Sequence, residues 1–160
     1  MDTKTLDTKT LDTKTDVASP NAYAQWASFT IKAVGFPGVI DYSRLQWGKF
    51  YQWDNKDHEV SVNGIKFAEG RTSLNLVSAC GREDSPSGTQ GEFYICKDGA
   101  DPKGPDYKVC KLSWDCPWAG KINSWGASDY DSDMYVVSIT GGSSFGGAIG
   151  TLTVTVAKIG

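Results

Sequence analysis

The chain is poor in the residues on which most enzyme chemistry depends. It holds one histidine, His58, in 160 residues. A metal cage with several imidazole ligands is therefore excluded, and a Ser-His-Asp relay would have to run through His58 alone. That residue sits in the polar stretch DNKDHEV without a G-x-S-x-G or equivalent nucleophile motif elsewhere, so it reads as a turn residue. Excess positive charge is missing too: 16 Lys and Arg against 19 Asp and Glu leave a net charge of -3. Such a surface does not neutralise phosphates along DNA or RNA, and nucleic acid is not an expected partner. No run approaches the roughly 20 apolar residues of a transmembrane helix, and the N-terminus has no apolar secretory segment. The expectation is a soluble protein released, if it leaves the cell, by a leaderless route. Long helical periods are likewise absent.

What the chain does have is glycine and aromatic residues: 18 glycines, six tryptophans, seven tyrosines and six phenylalanines. The first 16 residues repeat the unit DTKTL. Its period matches neither strand nor helix and only Leu6 and Leu11 could be buried, so residues 1–20 read as a disordered low-complexity tail. From residue 21 to 160 the pattern has period 2. Ala27, Phe29, Ile31 and Ala33 fall on one face and Trp26, Ser28, Thr30 and Lys32 on the other. Residues 42–53 form an aromatic-rich segment and 55–59 a polar turn, with short strands at 59–67 and 71–80. A hairpin of 92–96 and 107–114 and a final pair of 134–140 and 151–156 follow. Short strands at this spacing predict one all-β domain, an antiparallel β-sandwich.

Cys80, Cys96, Cys110 and Cys116 lack the paired short spacing of a zinc site. Cys96 and Cys110 stand at corresponding ends of the predicted hairpin, which favours their pairing as a disulfide and leaves Cys80 for Cys116. Closing the first loop would contribute roughly 3 kcal/mol. Four free buried thiols are the alternative. Asp129, Asp131 and Asp133 alternate as in a calcium loop, but Met134 stands where glycine is required and Thr140 where the bidentate glutamate belongs, so they read as a solvated turn. Neither metal nor cofactor is expected. The segment GREDSPSGTQG at 81–91 is glycine-rich but lacks phosphate-loop spacing.

Six tryptophans exceed what one small core accommodates. Strand parity favours burial of Trp47 and Trp114 and leaves Trp26, Trp53, Trp118 and Trp125 nearer the surface. Clustered exposed indoles suit a water–lipid boundary, or stack on sugar rings and choline-type cations. Arg82 and Lys121 are candidate partners for a lipid phosphate.

Six motifs in order carry a family resemblance: AYAQW at 22–26, LQWGKFY at 45–51, DNKDHEVS at 54–61, CGRED with SGTQG between 80 and 91, WDCPWAGKIN at 114–123 and GGAIGTLTV at 146–154. From Ala22 onward the sequence resembles the aegerolysin family. The resemblance implies a β-sandwich of the actinoporin/haemolysin type, without enzymatic activity, that recognises membrane lipids and notably sphingolipids. Several members form one half of a binary toxin, insecticidal in some bacterial pairs. There the aegerolysin binds the membrane and a larger partner, often of the membrane-attack-complex/perforin type, makes the pore. Carried over by motif, Trp26, Trp47, Trp118 and Lys121 are lipid-facing, which overrides the parity reading of Trp47. Ser87 occupies the position where sphingolipid-selective fungal members carry a glutamate before the loop glycine. The expected function is thus lipid recognition within a two-component pore-forming toxin, with self-association on the membrane. The competing reading is a carbohydrate-binding module using surface tryptophans, and an enzyme built on His58 comes last.

A partner also follows from the strands. A membrane-spanning barrel needs strands of about 9–11 residues with apolar residues facing lipid. The nearest candidate, residues 134–156, is interrupted by a glycine-rich connector and needs its apolar residues for the core.

Overall fold

Strand β1 (Trp26–Val34) shows how the alternation becomes a core. Ala27, Phe29, Ile31 and Ala33 are all sealed from solvent, while Trp26 and Lys32 on the other face are half-buried. The computed structural model describes residues 22–118 and 121–159; the repeat tail at 1–20 lies outside the described residues. After a single 3-10 turn at Ala22–Ala24 come β1, β2 (Gly38–Trp47), β3 (Lys49–Gln52), β4 (Asn55–Glu59), β5 (Lys66–Phe67) and β6 (Ser73–Cys80). Then follow β7 (Thr89–Lys97), β8 (Lys108–Cys116), β9 (Ser124–Ser128), β10 (Tyr135–Gly141) and β11 (Gly150–Lys158). They form a six-stranded sheet, β10-β11-β1-β6-β3-β4, against a five-stranded sheet, β5-β2-β7-β8-β9. The fold is the predicted β-sandwich. Paired strands run antiparallel except β1 and β11, which run parallel, with Phe29 beside Leu152 and Ile31 beside Val154.

The two sheets are joined by a knot of aromatic rings. Phe29 of one sheet meets Phe93 and Trp114 of the other at centroid distances of 5.1 and 5.4 Å, both edge to face, and Phe50 lies 6.0 Å from Trp114. Edge-to-face contacts of this kind add about 0.5–1.5 kcal/mol each beyond area burial. Trp114 is buried, as parity predicts, and its Nε1 donates to Thr89 Oγ1 at 3.0 Å.

Some local readings are corrected. Residues 55–59 form the edge strand β4 rather than a turn; an edge strand solvated on both faces has no need of apolar alternation. Of 59–67, Glu59 ends β4 opposite Tyr51 and only Lys66–Phe67 forms a further strand, because Gly64, at φ 92, turns the chain and donates its N–H to Ile40 O. Strand β9, with the sequence SWGAS, carries no alternating signal and was not foreseen.

The disulfides are corrected as well: all four cysteines are free and buried. In the β7–β8 hairpin Cys110 pairs with Ile95, and Cys96 pairs with Lys108 across a bulge. A one-residue offset turns the side chains to opposite faces. Cys110 joins the main core, whereas Cys96 joins a small outer cluster with Val39, Tyr94 and Tyr107. Cys80 ends β6 in one sheet; Cys116 ends β8 in the other and donates its thiol to Gly147 O at 3.3 Å. Burial pushes the Cys80 thiol up to about 11 and those of Cys96 and Cys110 up to about 12. The reactive species is the thiolate, so these groups are protected chemically as well as sterically. Unreduced protein should therefore give essentially no iodoacetamide adduct when native near pH 7.5 and four adducts when denatured, read by intact mass. Two or no adducts after denaturation would restore the disulfides.

Candidate functional site

At one end of the sandwich β2 stops, β7 begins and β8 stops, and their flanking loops enclose a cleft of about 420 Å³ lined by Trp47, Ser87, Gly88, Thr89, Asp115, Trp118, Lys121 and Ile122. Four of the six predicted lipid-contacting residues, Trp47, Ser87, Trp118 and Lys121, meet here. Glycine makes the convergence possible. Gly48, at φ 93, turns β2 into β3, and a Cβ on it would lie 2.4 Å from the Cys80 carbonyl oxygen. Gly88 lets the 82–88 loop touch the end of β8, where a Cβ would lie 1.8 Å from Cys116 O. Ser87 is positioned by an Oγ···Oγ contact of 3.0 Å with Ser85.

Trp47 is 53% exposed, against the parity reading. The reason is local: β2 breaks register against β7 between Leu45 and Trp47. The bulge rotates Trp47 outward although Leu45, two residues earlier, packs on the core. Trp118 is half-buried and Lys121 exposed. The cleft thus presents two indoles beside one ammonium, with the Thr89 hydroxyl fixed as the acceptor of the Trp114 indole.

The other two predicted residues lie elsewhere. Trp26 stands on the outer face of β1, its ring 5.5 Å from Trp53, with Lys56 Nζ 5.1 Å from its centroid. Lys56 also donates to Tyr23 O at 2.8 Å, and burial lowers its pKa. Arg82 makes a two-pronged ion pair with Glu59, at 3.1 and 2.9 Å. Those hydrogen bonds hold the Glu59 carboxyl below its ordinary range and raise the guanidinium. Arg82 would have to release Glu59 before meeting a ligand. His58 is exposed on β4, outside the cleft lining.

Sequence reasoning missed Ile122 and Phe145. They are 71% and 78% exposed and joined by an antiparallel bridge. The available signal was an aromatic residue inside a Gly/Ser run, GGSSFGG, with no strand to pack it. Also missed was a polar groove of about 480 Å³ on the outer face of the five-stranded sheet, lined by Arg44, Gln90, Glu92, Ser113 and Asp115; Trp125 borders it but pairs with Trp114 and packs toward the core.

The profile of the aegerolysin family matches residues 24–159, nearly the whole described domain. The chain belongs to the aegerolysin family. This aegerolysin is 36% identical over 141 residues to ostreolysin A6 of Pleurotus ostreatus, covering 87% of this chain and 99% of that one. It is also 36% identical over 146 residues to Asp-hemolysin of Aspergillus fumigatus, covering 89% and 99%. Among solved structures, IP-1A from Alcaligenes faecalis superposes with a TM-score of 0.74 at 36% identity, covering 88% of this chain and 95% of that one. RahU, solved with a TRIS molecule, superposes at 0.75 with 32% identity, covering 87% and 98%.

The geometry separates two kinds of residue in this aegerolysin. Gly88→Ala should lower unfolding stability by about 1–3 kcal/mol, because β8 must move. Trp47→Ala should stay within about 0.5 kcal/mol, since its ring is largely solvated. Denaturant unfolding of both variants checks the contrast; equal losses would mean that Trp47 packs inside.

Proposed function

We propose that this aegerolysin recognises a membrane lipid through the Trp47–Trp118–Lys121 cleft. The observation that carries this reading is the meeting of two indoles and an ammonium at one exposed rim. Indoles favour the headgroup level of a bilayer, and an ammonium beside them is placed for a headgroup phosphate. Family membership supports a lipid-binding, haemolysin-like protein. Within that frame we assign sphingolipid as the lipid class. The chain acts as the binding half of a two-component pore-forming toxin, gathers on the membrane and recruits a larger partner of the membrane-attack-complex/perforin type. Insecticidal action is the use we infer for the pair. No reacting group is called upon.

Docking without insertion is supported by where the apolar residues are spent. Leu152, Val154 and Val156 of β11 are fully buried, and the opposite face of that strand carries Thr151, Thr153 and Thr155. Strand β11 is also paired on both sides, with β10 and β1. Releasing it to span lipid would strip the core of those side chains and expose two rows of backbone groups.

A second reading has its own observation, the polar groove on the outer face of the five-stranded sheet, whose amide, carboxylate and guanidinium groups suit sugar hydroxyls. Free sugar that competes with binding to glycan-free vesicles would favour it.

The test of the lipid reading is a sedimentation panel varying sphingolipid, sterol and headgroup. Trp118→Ala and Lys121→Ala should each weaken binding to the preferred vesicles by about tenfold or more, the size of a charge-assisted contact or a buried indole. Equal binding to every composition, or none, contradicts selective recognition. Entrapped dye should stay inside vesicles saturated with this chain alone.

A further inference from the structure

Ile122 and Phe145 carry an argument of their own. Phe145, on the connector between β10 and β11, is the most exposed of the large apolar side chains among the described residues, and Ile122, facing it across the bridge, is nearly as exposed. A solvated phenyl ring on a loop is ordinarily tolerable because the loop can fold it away. Here the loop is clamped. Asn123, only 3% exposed, donates from Nδ2 to the carbonyl oxygens of Ser143 at 3.0 Å and Gly147 at 3.2 Å, and its own N–H meets Ser144 O at 3.0 Å. The Cys116 thiol reaches the same Gly147 carbonyl. Backbone on both sides of Phe145 is therefore tied down. Gly146 and Gly147, at φ 31 and 72, make the turn that leaves the ring outward.

Exposed apolar side chains held in place in this way mark an interaction surface. Its occupant follows from what adjoins it. Ile122 lines the cleft with Trp47 and Trp118, and Lys121 precedes it in the chain. Exposure falls from Phe145 through Ile122 and Trp47 to the half-buried Trp118. Strongly exposed phenyl and aliphatic side chains, indoles in the adjoining cleft and an ammonium alongside are the side-chain set that a lipid interface takes between acyl boundary and headgroup. The indoles and the ammonium of the adjoining cleft, a set suited to the headgroup level and its phosphate, favour a lipid layer over a protein as the occupant.

We propose that Phe145 and Ile122 form an apolar anchor that enters the acyl boundary of a lipid layer and supplies affinity, while the adjoining cleft supplies headgroup choice. The inference rests on the reading of the cleft as lipid-facing. It adds a separable element to that reading: losing the anchor weakens binding to every composition by the same factor, and losing the cleft changes the ratio between compositions.

The experiment measures sedimentation with two vesicle types, sphingomyelin with cholesterol and phosphatidylcholine, and phosphatidylcholine with cholesterol. Burial of one large apolar side chain is worth roughly tenfold in affinity. Phe145→Ser and Ile122→Ser should each lose about that factor and the double variant about a hundredfold, equally on both vesicles. Leu74→Ser removes an equally exposed side chain, 76% exposed, on β6 away from the cleft, and should bind as wild type. Lys121→Ala should alter the ratio between the two vesicles. All these side chains are exposed, so unchanged thermal unfolding checks the fold. If wild type binds and the double variant stays within twofold of it, or if Leu74→Ser loses as much as Phe145→Ser, the anchor is overturned and the cleft reading stands. If wild type binds neither vesicle, both readings fall together.

Discussion

The structure depends on the packing of Trp114 between the two sheets. Its ring lies against Phe29, Phe50 and Phe93, and its one polar atom is satisfied by Thr89. A buried indole N–H without a partner would cost about 1–3 kcal/mol, so that hydrogen bond fixes the ring's direction as well as its depth. The same contact sets the functional end of the molecule. Thr89 opens β7 and lines the cleft, and the residues after Trp114 run directly to Trp118 and Lys121. What holds the sheets together therefore also holds the cleft walls at a fixed spacing.

A second constraint is the limited supply of apolar strand faces. The apolar faces of β1 and β11 are consumed by the core, and apart from Trp26 and Val34 at the two ends of β1 their alternate positions are polar or small. Apolar side chains left over are concentrated in loops and strand ends: Trp47 after a bulge, Trp118 and Ile122 beyond β8, Phe145 between β10 and β11. A scaffold of this kind can present a membrane-seeking rim while keeping its strands paired. Division of labour with a pore-forming partner is the economical outcome in our reading, since the chain's own strands are already committed.

Legibility from sequence followed the physics of each segment. Strands β1 and β11 were plain because a half-buried strand must alternate, and 27–33 and 152–156 do so without interruption. Their parallel pairing was not legible, since period 2 carries no direction. Trp47 misled because parity assumes unbroken register and the bulge at 45/47 rotates it outward; the cysteines misled because the hairpin register, Ile95 opposite Cys110, is one residue off the one their spacing suggested. Edge strands β4 and β9 gave weak signals because little of them is buried. At the site, the motifs marked Trp47, Ser87, Trp118 and Lys121, which share one cleft, but not that Arg82 pairs with Glu59 or that Trp26 faces another aromatic group. Ile122 and Phe145 stayed hidden because their meeting is a long-range bridge between two loops.

Amide hydrogen exchange on the vesicle-bound protein probes most directly whether a rigid domain docks through its rim. The account predicts added protection around Trp47, at 117–122 and at 141–150, with the amides of β10, β11 and β1 exchanging as slowly as in free protein. Loss of protection along β10 and β11 on binding, or protection spread evenly over the whole domain, would contradict it.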